Sequence, residues 1–133
     1  MYNHPSNRPR FLSLTAFKFP LNAKLSALHR ITGLMLIVSL LGYLALFHLI
    51  LFHPNVTMTS VFSHCIHKIL FVFFWSSITF HWLTGLRHIL AQHFTHPSSY
   101  KRINGFVVSY IIIAVWLLIT LWIFYQAWSR SYL

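Results

Sequence analysis

Not one aspartate or glutamate occurs in these 133 residues. The ten Lys and Arg have no acidic side chain of their own chain to pair with. This excludes acid/base catalysis by carboxylates of this chain alone and any arginine–carboxylate bridge between its side chains. An arginine drawn toward hydrocarbon is expected to need a carboxylate from a partner subunit, a lipid phosphate or a bound ligand. Cysteine is nearly missing too. Cys65 stands alone, so an intrachain disulfide and a cysteine-based metal site are excluded, and it reads as a small buried core residue. The first twenty residues carry Arg8, Arg10 and Lys18 but no early apolar run followed by a small-residue cleavage site, so they do not read as a cleavable signal peptide.

What the chain has in quantity is apolar surface: 57% of its residues are hydrophobic and its mean hydropathy is +0.66. Little of this could face water, and the length is too small for several soluble domains. The expected class is an all-α integral membrane protein. A nucleic-acid partner is not expected, because the basic residues flank apolar spans where they suit anionic lipid headgroups.

Hydropathy marks three spans. Ile31 to Phe52 is roughly 33 Å long as a helix, enough to cross a bilayer. Its helix is expected to begin earlier, with Asn22 as N-cap, so that the span runs from about 25 to 52 and ends at His53-Pro54-Asn55. The second span covers about 66–90 and the third 106–128, with Trp116, Trp122, Tyr125 and Trp128 read as an aromatic belt. Residues 1–22 are expected to form an arm on the surface and 23–133 the membrane domain. Arg8, Arg10, Lys18, Lys24, Arg30, Arg87, Lys101 and Arg102 fall on one side, and Lys68 and Arg130 on the other. The positive-inside rule then puts the N-terminus on the cytoplasmic or matrix side and the C-terminus opposite.

Two stretches carry chemistry. In "FHWLTGLRHILAQ", Phe80 to Gln92, the residues His81, Gly85 and His88 share one helix face. A neutral imidazole within hydrocarbon suits haem iron as an axial ligand; it equally suits an interhelical hydrogen bond. Gly85, without a side chain, would let a flat macrocycle approach the backbone, and His88, about 10 Å further along the axis, would reach its polar edge. Arg87 sits about 120° away from the His81 direction and reads as an anchor or subunit contact. In "LSALHRITG", Leu25 to Gly33, the residues Ser26, His29 and Arg30 share a face at the membrane interface. They suit a polar head whose tail stays in lipid, or an anion such as a propionate. Alternatively, Arg30 is only a topology anchor reaching phosphates. His48 has no obvious companion, and His53, His64, His67, His93 and His96 read as interfacial polar residues.

Together the two stretches resemble one family. "FPLNAKLSALHRITG" (Phe19 to Gly33) is similar to the S-x-x-H-R-x-[ST]-G signature of the cytochrome b membrane anchor of succinate dehydrogenase, respiratory complex II. "HWLTGLRH" (His81 to His88) resembles that subunit's H-x-x-x-G-x-R-H signature, and Arg8-Pro9 resembles the Arg-Pro of its N-terminal arm. Gln92 stands where the family usually has Asp, and "RPRFLSLTAFKFP" is unlike the commoner arm.

The resemblance implies a three-helix anchor forming a larger bundle with a second anchor subunit. Its other partners would be a flavoprotein subunit with FAD and an iron–sulfur subunit with its clusters. This chain would bind haem b through His81 as one axial ligand, with His29, Arg30 and His88 at the propionates and Gly85 packed at the haem face. Ser26 and Arg30 would line the site where ubiquinone is reduced. The membrane would be a bacterial or mitochondrial inner membrane. A fumarate reductase anchor and a cofactor-free transport or assembly protein are the rival readings.

Overall fold

The computed structural model describes residues 18–94 and 96–129. Arg8, Arg10, the Arg8-Pro9 pair, most of the expected arm and Arg130 lie outside the described residues. Among those described there is no strand. The elements are α1 (Leu21–Phe52), α2 (Met58–Ser63), α3 (Cys65–His93), α4 (Pro97–Ile103) and α5 (Phe106–Ser129).

Three of these are long and apolar enough to cross a membrane, and the chain is an all-α integral membrane protein. With 32 residues, α1 is about 48 Å long, well beyond a hydrocarbon core of about 30 Å. Its extra turns therefore extend past the core. The helix stops where the sequence dictates. His53 precedes Pro54 and takes extended angles, and its N–H closes the last turn on Leu49 at 3.1 Å. The two short helices were not expected from hydropathy. Thr57 starts α2 with a reciprocal pair: its hydroxyl accepts from the Ser60 N–H and Ser60 Oγ accepts from the Thr57 N–H. Pro97 opens α4 at the position where a missing N–H costs nothing.

The start of α1 differs from the expectation. Asn22 is not the N-cap but lies inside the first turn. The Pro20 carbonyl accepts from Ala23 and Lys24 at 3.0 and 3.2 Å and begins the helix without a side-chain cap. The Asn22 amide is engaged elsewhere.

Lipid is as apolar as leucine, so apolar burial drives helix association weakly here and close contact through small residues matters more. The packed seams follow this. On α3 the buried residues are Ser77, Phe80, Thr84, Arg87 and Ala91, alternating steps of three and four. On α1 they are Leu25, Thr32 and Ser39, each a heptad apart. Such spacing keeps one stripe of each helix against its neighbour. Large apolar side chains face outward instead, Leu34 at 63% and Val107 at 71% exposure.

Helix α3 is central and antiparallel to both neighbours. Along α1, Asn22 meets Arg87, His29 meets Thr84, Met35 meets Ser77 and Gly42 meets Leu70. Gly42 makes room for the Leu70 side chain, since a Cβ there would lie 2.8 Å from Leu70 Cδ1. Along α5, Ser76 Oγ and Thr120 Oγ1 are 3.0 Å apart, and Trp116 donates its Nε1–H to the Ser76 carbonyl at 3.0 Å. Trp116 also meets Phe80 edge-on at 5.2 Å. It is therefore no part of an aromatic belt: its indole N–H needs a partner in the apolar layer and finds one on α3. Trp122 and Tyr125 do face outward. Cys65 is exposed, not buried, because it begins α3 just past its cap residue, His64, where the chain has turned outward.

Candidate functional site

At one end of the bundle, α1 and α3 bring three histidines together. The rings of His29 and His81 stack at 3.8 Å between centroids with 16° between planes, and His88 stands edge-on to His29 at 5.6 Å. Two buried threonines hold the set. Thr84 donates its hydroxyl to the Phe80 carbonyl at 2.7 Å, so its oxygen accepts from His29 Nδ1 at 2.7 Å. Thr32 donates to the His29 carbonyl at 2.9 Å. That same carbonyl accepts from His81 Nδ1 at 3.1 Å, and Thr32 Oγ1 lies 3.4 Å from the same nitrogen.

These contacts assign tautomers. Both imidazoles carry their proton on Nδ1, which leaves each Nε2 with its lone pair. A histidine whose Nδ1–H is tied to a backbone carbonyl and whose Nε2 is left over is oriented as metal-ligating histidines are. His81 has that arrangement. Among the described residues no three His or Cys side chains gather around a bare ion.

The glycines differ in weight. A Cβ at Gly33 would stand 3.2 Å from His81 Cε1, closer than an ordinary contact. Gly33 is thus what lets the His81 ring lie on α1. A Cβ at Gly85 would be 3.6 Å from His29 Cε1, an ordinary van der Waals distance. The neighbour of Gly85 in this structure is the His29 ring.

The expected trio on α1 is divided. His29 turns into α3, Ser26 is half-buried and Arg30 is exposed. Ser26 and Arg30 lie on the row that begins at Asn22, one and two turns further on.

Arg87 requires a correction. It is 6% exposed, and its partners are neutral groups of its own chain. Its Nε donates to the Ile103 carbonyl at 3.1 Å, and its Nη2 to Asn22 Oδ1 at 2.8 Å and Asn104 Oδ1 at 3.4 Å. Asn22 Nδ2 donates to the Asn104 carbonyl at 2.9 Å, and Ser109 Oγ reaches Asn22 Oδ1 at 3.1 Å. An arginine expected to need a carboxylate, lipid phosphate or ligand is satisfied here by amide and carbonyl oxygens of its own chain. Its lack of contact with His81 agrees with the angular argument.

The other histidines do separate work. His64 caps α3, accepting from the Ile66 N–H at 3.4 Å. His67 packs among Phe62, Tyr43 and Phe71. His48 lies against Phe52 at 4.5 Å, His93 against Phe94 at 5.2 Å, and His96 pairs with Ser98 at 2.8 Å. Gln92 is exposed at the end of α3. Asn22, Thr32, Gly33, Thr84, Asn104 and Ser109 were not singled out for these contacts from the sequence. For Thr32 and Thr84 the available signal was the heptad spacing of small polar residues, Thr32 with Ser39 on α1 and Ser77 with Thr84 on α3; the other four had no such signal.

Comparison with individual curated proteins finds no match. A family model, that of the succinate dehydrogenase/fumarate reductase transmembrane subunit, matches residues 4–121. The match spans most of the chain and includes both histidine-bearing stretches, and the chain belongs to the succinate dehydrogenase/fumarate reductase transmembrane subunit family, a membrane component of an oxidoreductase complex.

Proposed function

We propose that this chain is the cytochrome b anchor of a succinate:quinone oxidoreductase, helping to bind haem b and to form the site where ubiquinone is reduced. The observation that carries the reading is the hydrogen bond from His81 Nδ1 to the His29 carbonyl at 3.1 Å. It gives an intramembrane imidazole the tautomer and orientation of an axial ligand. The donor set therefore fits haem. Haem b, when bound, supplies a one-electron carrier within the membrane. His81 would hold the iron from this chain, and the second ligand would come from a second anchor subunit. His88 stands beside His81 as a donor for propionates, which would bring the carboxylates this chain lacks; His29, whose Nδ1–H is taken by Thr84, would join it through Nε2 when the propionate charge draws a second proton onto the ring, and Arg30 is a further donor at that end.

Ser26 and Arg30 would meet the quinone head. The hydroxyl donates to a carbonyl oxygen, and the guanidinium stabilises negative charge building there on reduction. Both lie at the end of α1 that carries most of the basic residues, so the positive-inside rule supports a cytoplasmic or matrix location beside an iron–sulfur subunit and its flavoprotein. The membrane would be a bacterial or mitochondrial inner membrane.

The test is a reduced-minus-oxidised spectrum of the purified complex for wild type and His81→Ala. Loss or altered ligation of haem is expected, and a normal spectrum in the variant removes His81. Arg30→Ala is expected to impair quinone reduction while electrons still reach a soluble artificial acceptor. Because the family description covers both directions, succinate-driven quinone reduction must be compared with quinol-driven fumarate reduction, and dominance of the latter makes the chain a fumarate reductase anchor.

A further inference from the structure

We propose that Arg87 is a positioning residue for the quinone site, acting through Asn22 on the strip of α1 that carries Ser26 and Arg30. The inference rests on the assignment of Ser26 and Arg30 above.

The first turn of a helix has N–H groups without intrahelical partners and frays unless something holds it. Here Pro20 offers no side-chain cap. What holds the turn comes from across the bundle. Asn22 Oδ1 accepts from Arg87 Nη2 at 2.8 Å and from Ser109 Oγ at 3.1 Å, while its Nδ2 donates to the Asn104 carbonyl at 2.9 Å. Arg87 Nε adds the Ile103 carbonyl at 3.1 Å. One guanidinium thus ties the start of α1 to the end of α3 and to the junction of α4 and α5. Two turns further along α1 comes the second clamp, His29 on Thr84 at 2.7 Å. Ser26 lies between the clamps, and Arg30 directly follows the second.

Residue type matters. Arg87 occupies a buried position in the α3 seam, where a guanidinium is costly unless its donors are used. Its planar fork serves oxygens from separate segments at once, which a lysine ammonium does not reproduce. A purely structural tie could sit anywhere along α1. This one sits one turn before Ser26, where a loose first turn moves the quinone-facing groups and leaves the His29–His81 pair clamped.

The experiment uses the intact complex in membranes, with Arg87→Gln, Asn22→Leu, Asn22→Asp and Arg30→Ala beside wild type. Four readouts are taken: KM and kcat with a short-chain ubiquinone, succinate-driven reduction of a soluble acceptor, the haem spectrum, and amide hydrogen exchange over residues 21–31. Arg87→Gln and Asn22→Leu are expected to raise the quinone KM about tenfold, since displacement of positioning groups is costly even far from the chemistry. They should leave kcat within about twofold, and soluble-acceptor activity and haem spectrum unchanged, while exchange before His29 accelerates. Asn22→Asp keeps the oxygens for Arg87 and Ser109 and loses only the Nδ2–H bond to the Asn104 carbonyl, so it is expected to raise the quinone KM clearly less than Asn22→Leu. The double variant should be no worse than either single, because both cut one path.

If Arg30→Ala impairs quinone reduction while Arg87→Gln and Asn22→Leu leave KM and exchange unchanged, the positioning role is wrong and the site assignment stands. Equal effects of Asn22→Leu and Asn22→Asp also overturn it. If Arg30→Ala is itself silent, the site assignment fails and takes the proposal with it. Should Arg87→Gln prevent assembly, the Asn22 pair, which alters an exposed residue at a helix end, decides by the same criteria.

Discussion

His29 lies flat against His81, ring on ring at 3.8 Å, and both the orientation and the tautomer of each come from the other helix. His29 is held by Thr84 of α3, and His81 by the His29 carbonyl of α1. The pair is reciprocal: neither imidazole is oriented by its own helix alone.

Thr84→Val removes the acceptor for His29 Nδ1 without changing shape. The donor is left unpaired in an apolar layer, at an expected cost of about 1–2 kcal/mol. Thermal unfolding of the purified complex should show a lower midpoint, restored by Thr84→Ser. An unchanged midpoint would mean that stacking alone holds His29.

Gly33→Ala should disturb the His81 ring more than Gly85→Ala disturbs His29. The first places a Cβ 3.2 Å from its neighbour, so something must give; the second makes an ordinary contact at 3.6 Å. If His81 ligates haem as proposed, the electron paramagnetic resonance signal of the oxidised haem should shift in Gly33→Ala and hardly move in Gly85→Ala. The reverse order would contradict this packing of α1 on α3.

Gly42→Ala brings a Cβ within 2.8 Å of the Leu70 side chain. Overpacking at such a contact costs about 1–3 kcal/mol, less where the neighbour can rotate. In a double-mutant cycle with Leu70→Ala, the combined loss measured by thermal unfolding should be smaller than the sum of the two singles. Strict additivity would show that the residues are not in contact.

Cys65 gives a test of orientation. It is the only cysteine, it is exposed, and it begins α3 at the end remote from His88. In the proposed orientation a membrane-impermeant maleimide should label it from the periplasmic or intermembrane side. Labelling only from the opposite side would invert the topology.

Much of the fold was legible in the sequence because three apolar runs admit few structures: in lipid, backbone polar groups must pair within the segment, so each run is a helix. The histidine faces were legible through helical spacing. What was not legible were contacts between helices. Period alone could not say that Trp116 turns inward to Ser76, or that Gly33 is the tighter glycine. Asn22 carried a strong capping signal, and a tertiary partner overrode it. The partners of Arg87 were not legible for a physical reason: a sequence shows which charges are missing, not which amide oxygens the fold will aim at a guanidinium. Cys65 was read by residue type, and its place at a helix start decided otherwise.

The Arg87 cluster has a consequence for acid and base. Its members are a guanidinium, which stays protonated throughout the physiological range, two carboxamides, a hydroxyl and backbone carbonyls. None of these gains or loses a proton near neutrality, so this contact binds the same number of protons whether made or broken and adds no pH slope to stability. An aspartate in place of either asparagine would have made it titratable. If a quinone is reduced beside Ser26 and Arg30 as proposed, the start of α1 is fixed by a joint indifferent to the protons that pass there.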